Sequence, residues 1–275
     1  MSERLSPGSF ELAPKNLEVV RLVGAHALEI SKAHFCSGFP DFRGGSIKKL
    51  VYHNARHNRS VGNDAMRLSE RLGLSPSEQE LARTAGYAHD LVQLKGRGND
   101  ERESAEWVER QLREGGIEPA AAKLAGLAIL GTLPVFENND YKGRIIGQTA
   151  NQMQFGSRRD ELFVKSVASA DIGGLYTPMG PLNSHLIYAQ GQDAAPEEAA
   201  DMEGLVAFQE AQVNFVTNYR YPLAEANDVL ATHRSQVIRY SEHILERLKD
   251  GSITSWDEVM ALDKEFLQNP DMHLR

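Results

Sequence analysis

Cysteine is almost absent from this sequence. The single Cys36 in 275 residues cannot close an intramolecular disulfide, which fits a reducing compartment, and it excludes a cysteine-based zinc centre. Its expected place is a small buried apolar position. Long hydrophobic runs are missing too: stretches such as Leu124–Leu130 are far too short to cross a bilayer. Residues 1–20 carry Glu3, Glu11 and Glu18 and no apolar run, so they do not read as a secretory signal. A cytoplasmic protein without a membrane span is expected. Basic residues are in deficit, 30 Lys and Arg against 38 Asp and Glu for a formal charge of −8, which argues against a dedicated nucleic-acid binder and leaves room only for a local basic patch. Strand signals are scarce as well, since no run of β-branched residues is bounded by hairpin dipeptides.

What remains is a composition of 41% hydrophobic and 25% charged residues, enough for a substantial core, with helical periodicity over most of its length. The expected fold class is all-α. A first helix is read over 16–33, with Val19, Val20, Val23, Ala27 and Ile30 on one stripe, and a second over 48–71, stopped by Gly73. Ser75-Pro76-Ser77-Glu78 opens a third, which carries Leu81, Ala85, Ala88 and Val92 on one face and His89-Asp90 near its end. Asp100-x-x-Glu103 reads as a capping box after the loop Gly96-Arg97-Gly98-Asn99, and further helices are expected over 120–130, 145–155 and 160–172. The segment 134–142 reads as a surface loop, and 176–196, rich in Gly and Pro, as a long loop. Helices over 197–219, 222–248 and 255–266 complete the chain, the last opened by Ser255-x-x-Glu258. A site-bearing core of residues 1–175 and a C-terminal helical extension of 176–275 are therefore expected, separate or as one continuous domain.

Chemistry concentrates in three stretches: Tyr52-His53-Asn54-Ala55-Arg56-His57, Ala88-His89-Asp90-Leu91 and Ala170-Asp171-Ile172-Gly173. Imidazole and carboxylate are natural donors for a hard or borderline divalent ion, and three helices can fix their geometry while leaving coordination positions open. On this reading alone Asp160 and Asp140 remain alternatives to Asp171, although the small residues around Asp171 and its place in the last turn of a helix favour it.

The order His, His-Asp, late Asp in a helical chain resembles the HD superfamily of metal-dependent phosphohydrolases over residues 48–175, and Asn99-x-x-x-Glu103-Ser104-Ala105 and Thr132-x-Pro134 resemble its supporting positions. The resemblance implies an HD-domain helical bundle with His57, His89, Asp90 and Asp171 as ligands of one divalent ion: Mn, Fe, Co, Ni, Mg or Zn. His53 is then expected to support the site from behind. The other histidines have bland readings: His26 and His34 on helix faces, His185 in a solvated loop, and His233, His243 and His273 at the surface of the extension. Trp107 and Trp256 read as core anchors.

The departures from the family are equally specific. Dinuclear members add two histidines between the His-Asp pair and the final Asp, whereas this chain has none between residues 90 and 184, which disfavours a second ion and the di-iron oxygenase branch. Where nucleotidase members place a Glu, this chain has Gln93, leaving Glu103 or a metal-bound hydroxide to move protons and Asp90 to orient water. The implied reaction is hydrolysis of a phosphate ester of a small phosphorylated substrate, with Arg56, Lys95 and Arg97 as candidate phosphate-binding cations or simply solvated charges. A nucleotide-binding or regulatory module with little turnover is the alternative. The extension is expected to lid the cleft or to make a homodimer contact.

Overall fold

A computed structural model of the chain describes residues 11–37, 39–40, 47–48, 52–93, 98–137, 145–191 and 202–271. Among them lie eleven α-helices, and the only strands form two short two-stranded sheets. No helix among the described residues is long and apolar enough to cross a membrane. The side chains of residues 34–40, 47–48 and 190–191, Cys36 and His34 included, lie outside the description.

Two compact units emerge. The first takes its described residues from 1–33, 55–133 and 148–171. It contains most of helix α1 (Pro14–Ser37), then α2 (Ala55–Arg71), α3 (Pro76–Ala88), α4 (Asn99–Glu114), α5 (Pro119–Thr132) and α6 (Arg158–Asp171). Helix α1 buries Val20, Val23 and Ala27, the centre of the expected stripe. Helix α2 packs against α3 and α6, and α5 packs against α4 and α6. Leu68, Leu81, Leu112, Ile129 and Phe163 are fully buried between them, each such side chain stabilising the fold by about 1.5–3 kcal/mol.

Local signals set the helix ends. Ser75 caps α3 by accepting from the Glu78 N–H at 3.3 Å while the Glu78 carboxylate accepts from the Ser75 N–H at 2.6 Å, with Pro76 in the first turn. Glu78 is itself buried and is gripped through both oxygens by the Arg159 guanidinium, which ties the start of α3 to the start of α6. Gly73 ends the α2 turn at φ +70°. The expected cap at Asp100 is displaced: α4 starts at Asn99, and Glu101 accepts from the Gly98 N–H at 2.7 Å, because Gly98 at φ +76° supplies a left-handed turn that Asp100 would resist.

The second unit takes its described residues from 34–54, 134–147 and 172–275. It holds strands β1 (Phe39–Pro40) and β2 (Ile47–Lys48), which pair antiparallel, and β3 (Pro134–Phe136). Strand β4 (Ile145–Gln148) pairs with β3 and leads back into the first unit at Gln148. Helices α7 (Gly180–Gly191), α8 (Met202–Asn218), α9 (Ala226–Leu230), α10 (Arg234–Lys249) and α11 (Trp256–Gln268) follow. Ser255 and Glu258 form the expected capping box of α11.

Its core contains a polar network around His185. Asp263 Oδ2 lies 2.7 Å from His185 Nδ1, Gln209 Oε1 lies 3.0 Å from His185 Nε2, and Tyr240 donates to Asp263 Oδ1 at 2.9 Å. Gln209 donates through Nε2 to the Ser241 carbonyl at 2.9 Å, so its oxygen must accept from His185. Both ring nitrogens therefore carry protons, and α7, α8, α10 and α11 share a buried imidazolium–carboxylate pair. His185 is thus not a solvated loop histidine.

Some expectations fail because short apolar runs do not distinguish strand from helix, and others fail at helix boundaries. Residues 145–155 form β4 and a 3₁₀ turn over Thr149–Asn151 rather than a helix, and 134–136 are strand rather than loop. Helix α2 starts at Ala55 instead of residue 48, leaving Tyr52, His53 and Asn54 as a bend before it. The Gly/Pro-rich segment holds α7, because Pro181 sits in a first turn, where the missing N–H costs nothing. The helix expected over 222–248 is broken into α9 and α10.

Candidate metal centre

The site lies within the first unit and is assembled from three helix ends. His57 occupies the first turn of α2, His89 is the C-cap of α3 with Asp90 next to it, and Asp171 closes α6. Two glycines bring α2 and α3 together: a Cβ on Gly86 would lie 2.6 Å from the Gly62 Cα, a separation no real side chain tolerates. Asp171 is brought alongside by α6, whose Ser166 hydroxyl meets that of Ser69 of α2 at 3.0 Å.

The donor atoms converge tightly. His57 Nε2 and His89 Nε2 are 3.1 Å apart. Asp90 Oδ2 is 3.0 Å from His89 Nε2 and 3.3 Å from His57 Nε2, and Asp171 Oδ1 is 3.2 Å and 3.5 Å from the same atoms. One ligand atom from each of the four residues lies within 4.8 Å of the others. The tautomer of His89 is dictated by its other nitrogen: Nδ1 lies 2.8 Å from the Gly86 carbonyl, which can only accept, so in the neutral ring Nε2 presents its lone pair to the cluster. Two facing imidazole nitrogens and two carboxylate oxygens need positive charge among them, and this donor set fits a divalent ion. Exposure sets the direction of access, for the His89 side chain is 1% accessible while Asp90 and Asp171 keep 15% and 16%. His57 lies between them at 9%, so the two carboxylates are the most accessible members of the set.

The charges answer to one another. Burial works against the imidazolium at His57, yet hydrogen bonds to Asp171 and Asp90 hold its pKa above the ordinary value. At His89 burial is likewise outweighed, chiefly by the charge of Asp90 and the hydrogen bond to Asp171, and the pKa stands well above normal. Asp171 is pulled below the carboxylate range by the two imidazoles against its burial.

The structure brings together the four residues singled out as ligands. Asp160 lies in the first turn of α6, at the far end from Asp171, and Asp140 lies outside the described residues, as do Lys95 and Arg97. Arg56 is exposed beside His57, His53 precedes α2 in the second unit, and Gln93 is half-buried after the His-Asp turn. Glu103 is half-buried on α4, and the same helix supplies Ser104, whose buried hydroxyl accepts from the Val92 N–H at 3.0 Å and pins the segment after Asp90.

Two neighbours escaped the sequence reading. Glu101 has its pKa raised, mainly by burial, with the charge of Asp90 contributing. Gln148 donates to Asp171 Oδ2 at 3.3 Å and was masked by the helix expected there. His26, exposed on α1, meets Trp107 edge-on with ring centroids 5.5 Å apart, and Trp256 is buried, as a core anchor should be. His233 and His243 are half-buried, and His273 lies outside the described residues.

No family model matches the chain, and no curated protein matches it. Solved structures do. The crystal structure of Bacillus subtilis YpgQ in complex with ADP is similar with a TM-score of 0.51 at 14% identity, covering 84% of this chain and 96% of that one. YpgQ in another crystal structure gives 0.50 at 15% identity, over 85% and 99%. A Lactobacillus plantarum structural-genomics protein gives 0.52 at 14% identity, over 88% and 98%. At such identities the likeness is one of fold.

Proposed function

We propose that this chain is a metal-dependent phosphohydrolase of the HD type, acting on a phosphate ester of a nucleotide or a related small phosphorylated metabolite. The observation that carries this reading is the convergence of His57, His89, Asp90 and Asp171, with one ligand atom from each within 4.8 Å of the others and both carboxylates partly accessible. The ADP in one YpgQ crystal structure, a protein similar in fold, supports the nucleotide class. When bound, a divalent ion lowers the pKa of coordinated water and offsets phosphoryl charge.

The protein's own contribution is orientation and proton handling. His89 is locked by the Gly86 carbonyl so that Nε2 faces the site, and His57 faces it from the opposite helix. Asp90, partly accessible, orients the attacking water and accepts its proton. The water oxygen bonds to phosphorus as the ester P–O bond breaks, and a proton passes to the leaving oxygen. Glu101, whose pKa is raised, and Glu103 are the α4 carboxyls offered for that transfer in place of the Glu that Gln93 replaces. Arg56, Lys95 and Arg97 are the cations offered to the phosphate.

Gln93 also supports a second reading, a nucleotide-binding or regulatory module with little turnover. Elemental analysis followed by a phosphoester panel with each divalent metal separates the two. Metal-stimulated hydrolysis that disappears in His89→Ala and Asp90→Ala is expected. Tight nucleotide binding without turnover would establish the module, and the absence of both bound metal and metal-stimulated activity would end the hydrolase reading.

A further inference from the structure

Gln148, the last residue of β4, is 1% exposed, and its side chain reaches the metal-ligand cluster from behind. Its Nε2 lies 3.1 Å from the Thr132 carbonyl oxygen and 3.3 Å from Asp171 Oδ2. Both partners only accept, so the two amide hydrogens are spent on them and the amide has one orientation: flipped, it would set its own oxygen against a carbonyl and a carboxylate. The two oxygens of Asp171 are thereby divided. Oδ1 faces His89 and His57 at 3.2 and 3.5 Å, and Oδ2 faces Gln148.

Left alone, a carboxylate turns readily about its terminal torsion, whose preferences are broad. Asp171 stands in the final turn of α6, so the helix does not fix that torsion. We infer that Gln148 is a positioning residue that holds the Asp171 carboxylate with Oδ1 toward the ion and Oδ2 away from it. The backbone that carries it is anchored for the purpose, since the N–H and hydroxyl of Thr149 both donate to the Leu133 carbonyl, at 2.8 and 3.0 Å. Successive carbonyls at the end of α5 thus hold the amide and the turn that follows it. The inference rests on the metal site of the proposed function but not on its hydrolytic step.

The test is Mn²⁺ binding to the full chain by calorimetric titration, with the electron paramagnetic resonance spectrum of the bound ion as a second readout. Gln148→Met keeps the volume and removes the donor. It is expected to weaken Mn²⁺ binding about 10- to 100-fold, the usual effect of removing a group that orients a ligand, and to change the spectrum. Ser184→Ala removes a buried structural hydrogen bond in the second unit, from its hydroxyl to the Gly180 carbonyl, and is expected to bind Mn²⁺ as the wild type does. If Gln148→Met loses its cooperative melt, Gln148→Glu carries the test, because it keeps size and polarity but sets an acceptor against Asp171. Wild-type affinity and spectrum in the folded variant would overturn the inference. A wild type that binds Mn²⁺ but hydrolyses nothing, with Gln148→Met weakened, removes the hydrolytic reading and leaves this one. Hydrolysis with Mn²⁺ affinity untouched by Gln148→Met does the reverse, and a wild type that binds none of Mn²⁺, Fe²⁺, Co²⁺, Ni²⁺, Mg²⁺ and Zn²⁺ removes both.

Discussion

His185 donates to Asp263 and Gln209 from a position 1% exposed, and nothing in the residues around it in the sequence announces this. Its partners stand on α8 and α11, far along the chain, so the Gly/Pro-rich setting suggested solvent. Burial opposes its charge, but the Asp263 carboxylate and the hydrogen bonds raise its pKa above 6.5. A group whose folded pKa is raised stabilises most below its unfolded value and loses that contribution as pH rises through the folded one. Stability contributed by this pair should therefore be complete below about pH 6.5 and decline above it. The imidazoles of the metal cluster add a slope of the same sign when no metal is bound. The difference between wild type and His185→Gln in urea unfolding across that range, both without metal, isolates the pair; equal slopes in the two proteins would refute it. The four candidate ligands were legible because their residue types and order resemble a known family, whereas His185 and Gln148 act through partners that no motif announces.

Helices with a cap and a periodic stripe could be read from the chain, and α3 and α11 begin at the Ser-x-x-Glu boxes that announce them. What could not be read is whatever depends on pairing or close approach: β4 and β3 pair across a gap in sequence, and α2 and α3 touch at Gly62 and Gly86. Gly62 lies five residues after His57 and Gly86 three before His89, so a disturbance of that contact should be felt at the two histidines. A methyl at position 86 would lie 2.6 Å from the Gly62 Cα, and backbone cannot yield as a flexible side chain would. Gly86→Ala should therefore cost about 1–3 kcal/mol and weaken metal binding by spreading the two histidines. Gly73→Ala meets nothing within 4 Å and bears only the strain of φ +70°, about 1–2 kcal/mol, with metal binding retained. Denaturant midpoints and Mn²⁺ titrations of the two variants check the contrast. An equal loss of metal affinity in both would show that the helix contact does not set the site.

For the whole molecule, an ion held by the cluster would make stability depend on metal and proton together. Without metal, the carboxylates of Asp90 and Asp171 hold the pKa of both His57 and His89 above 6.5. The sign follows as for His185: that stabilisation is present below pH 6.5 and fades as pH rises through the raised values. A metal ion needs the same nitrogens deprotonated, so its binding releases protons and strengthens as pH rises. Free metal at about 100 times its dissociation constant stabilises the folded state by about 2.7 kcal/mol. The rise in melting temperature on adding Mn²⁺ should therefore be small under acid conditions and grow through the histidine range, while the metal-free melting temperature falls. Asp171→Asn removes one ligand charge and should flatten the metal response at every pH. Thermal melts with Mn²⁺ or with chelator over a pH series measure both trends in one experiment. A metal-induced shift independent of pH, or one that survives unchanged in Asp171→Asn, would place the ion somewhere other than among these four residues.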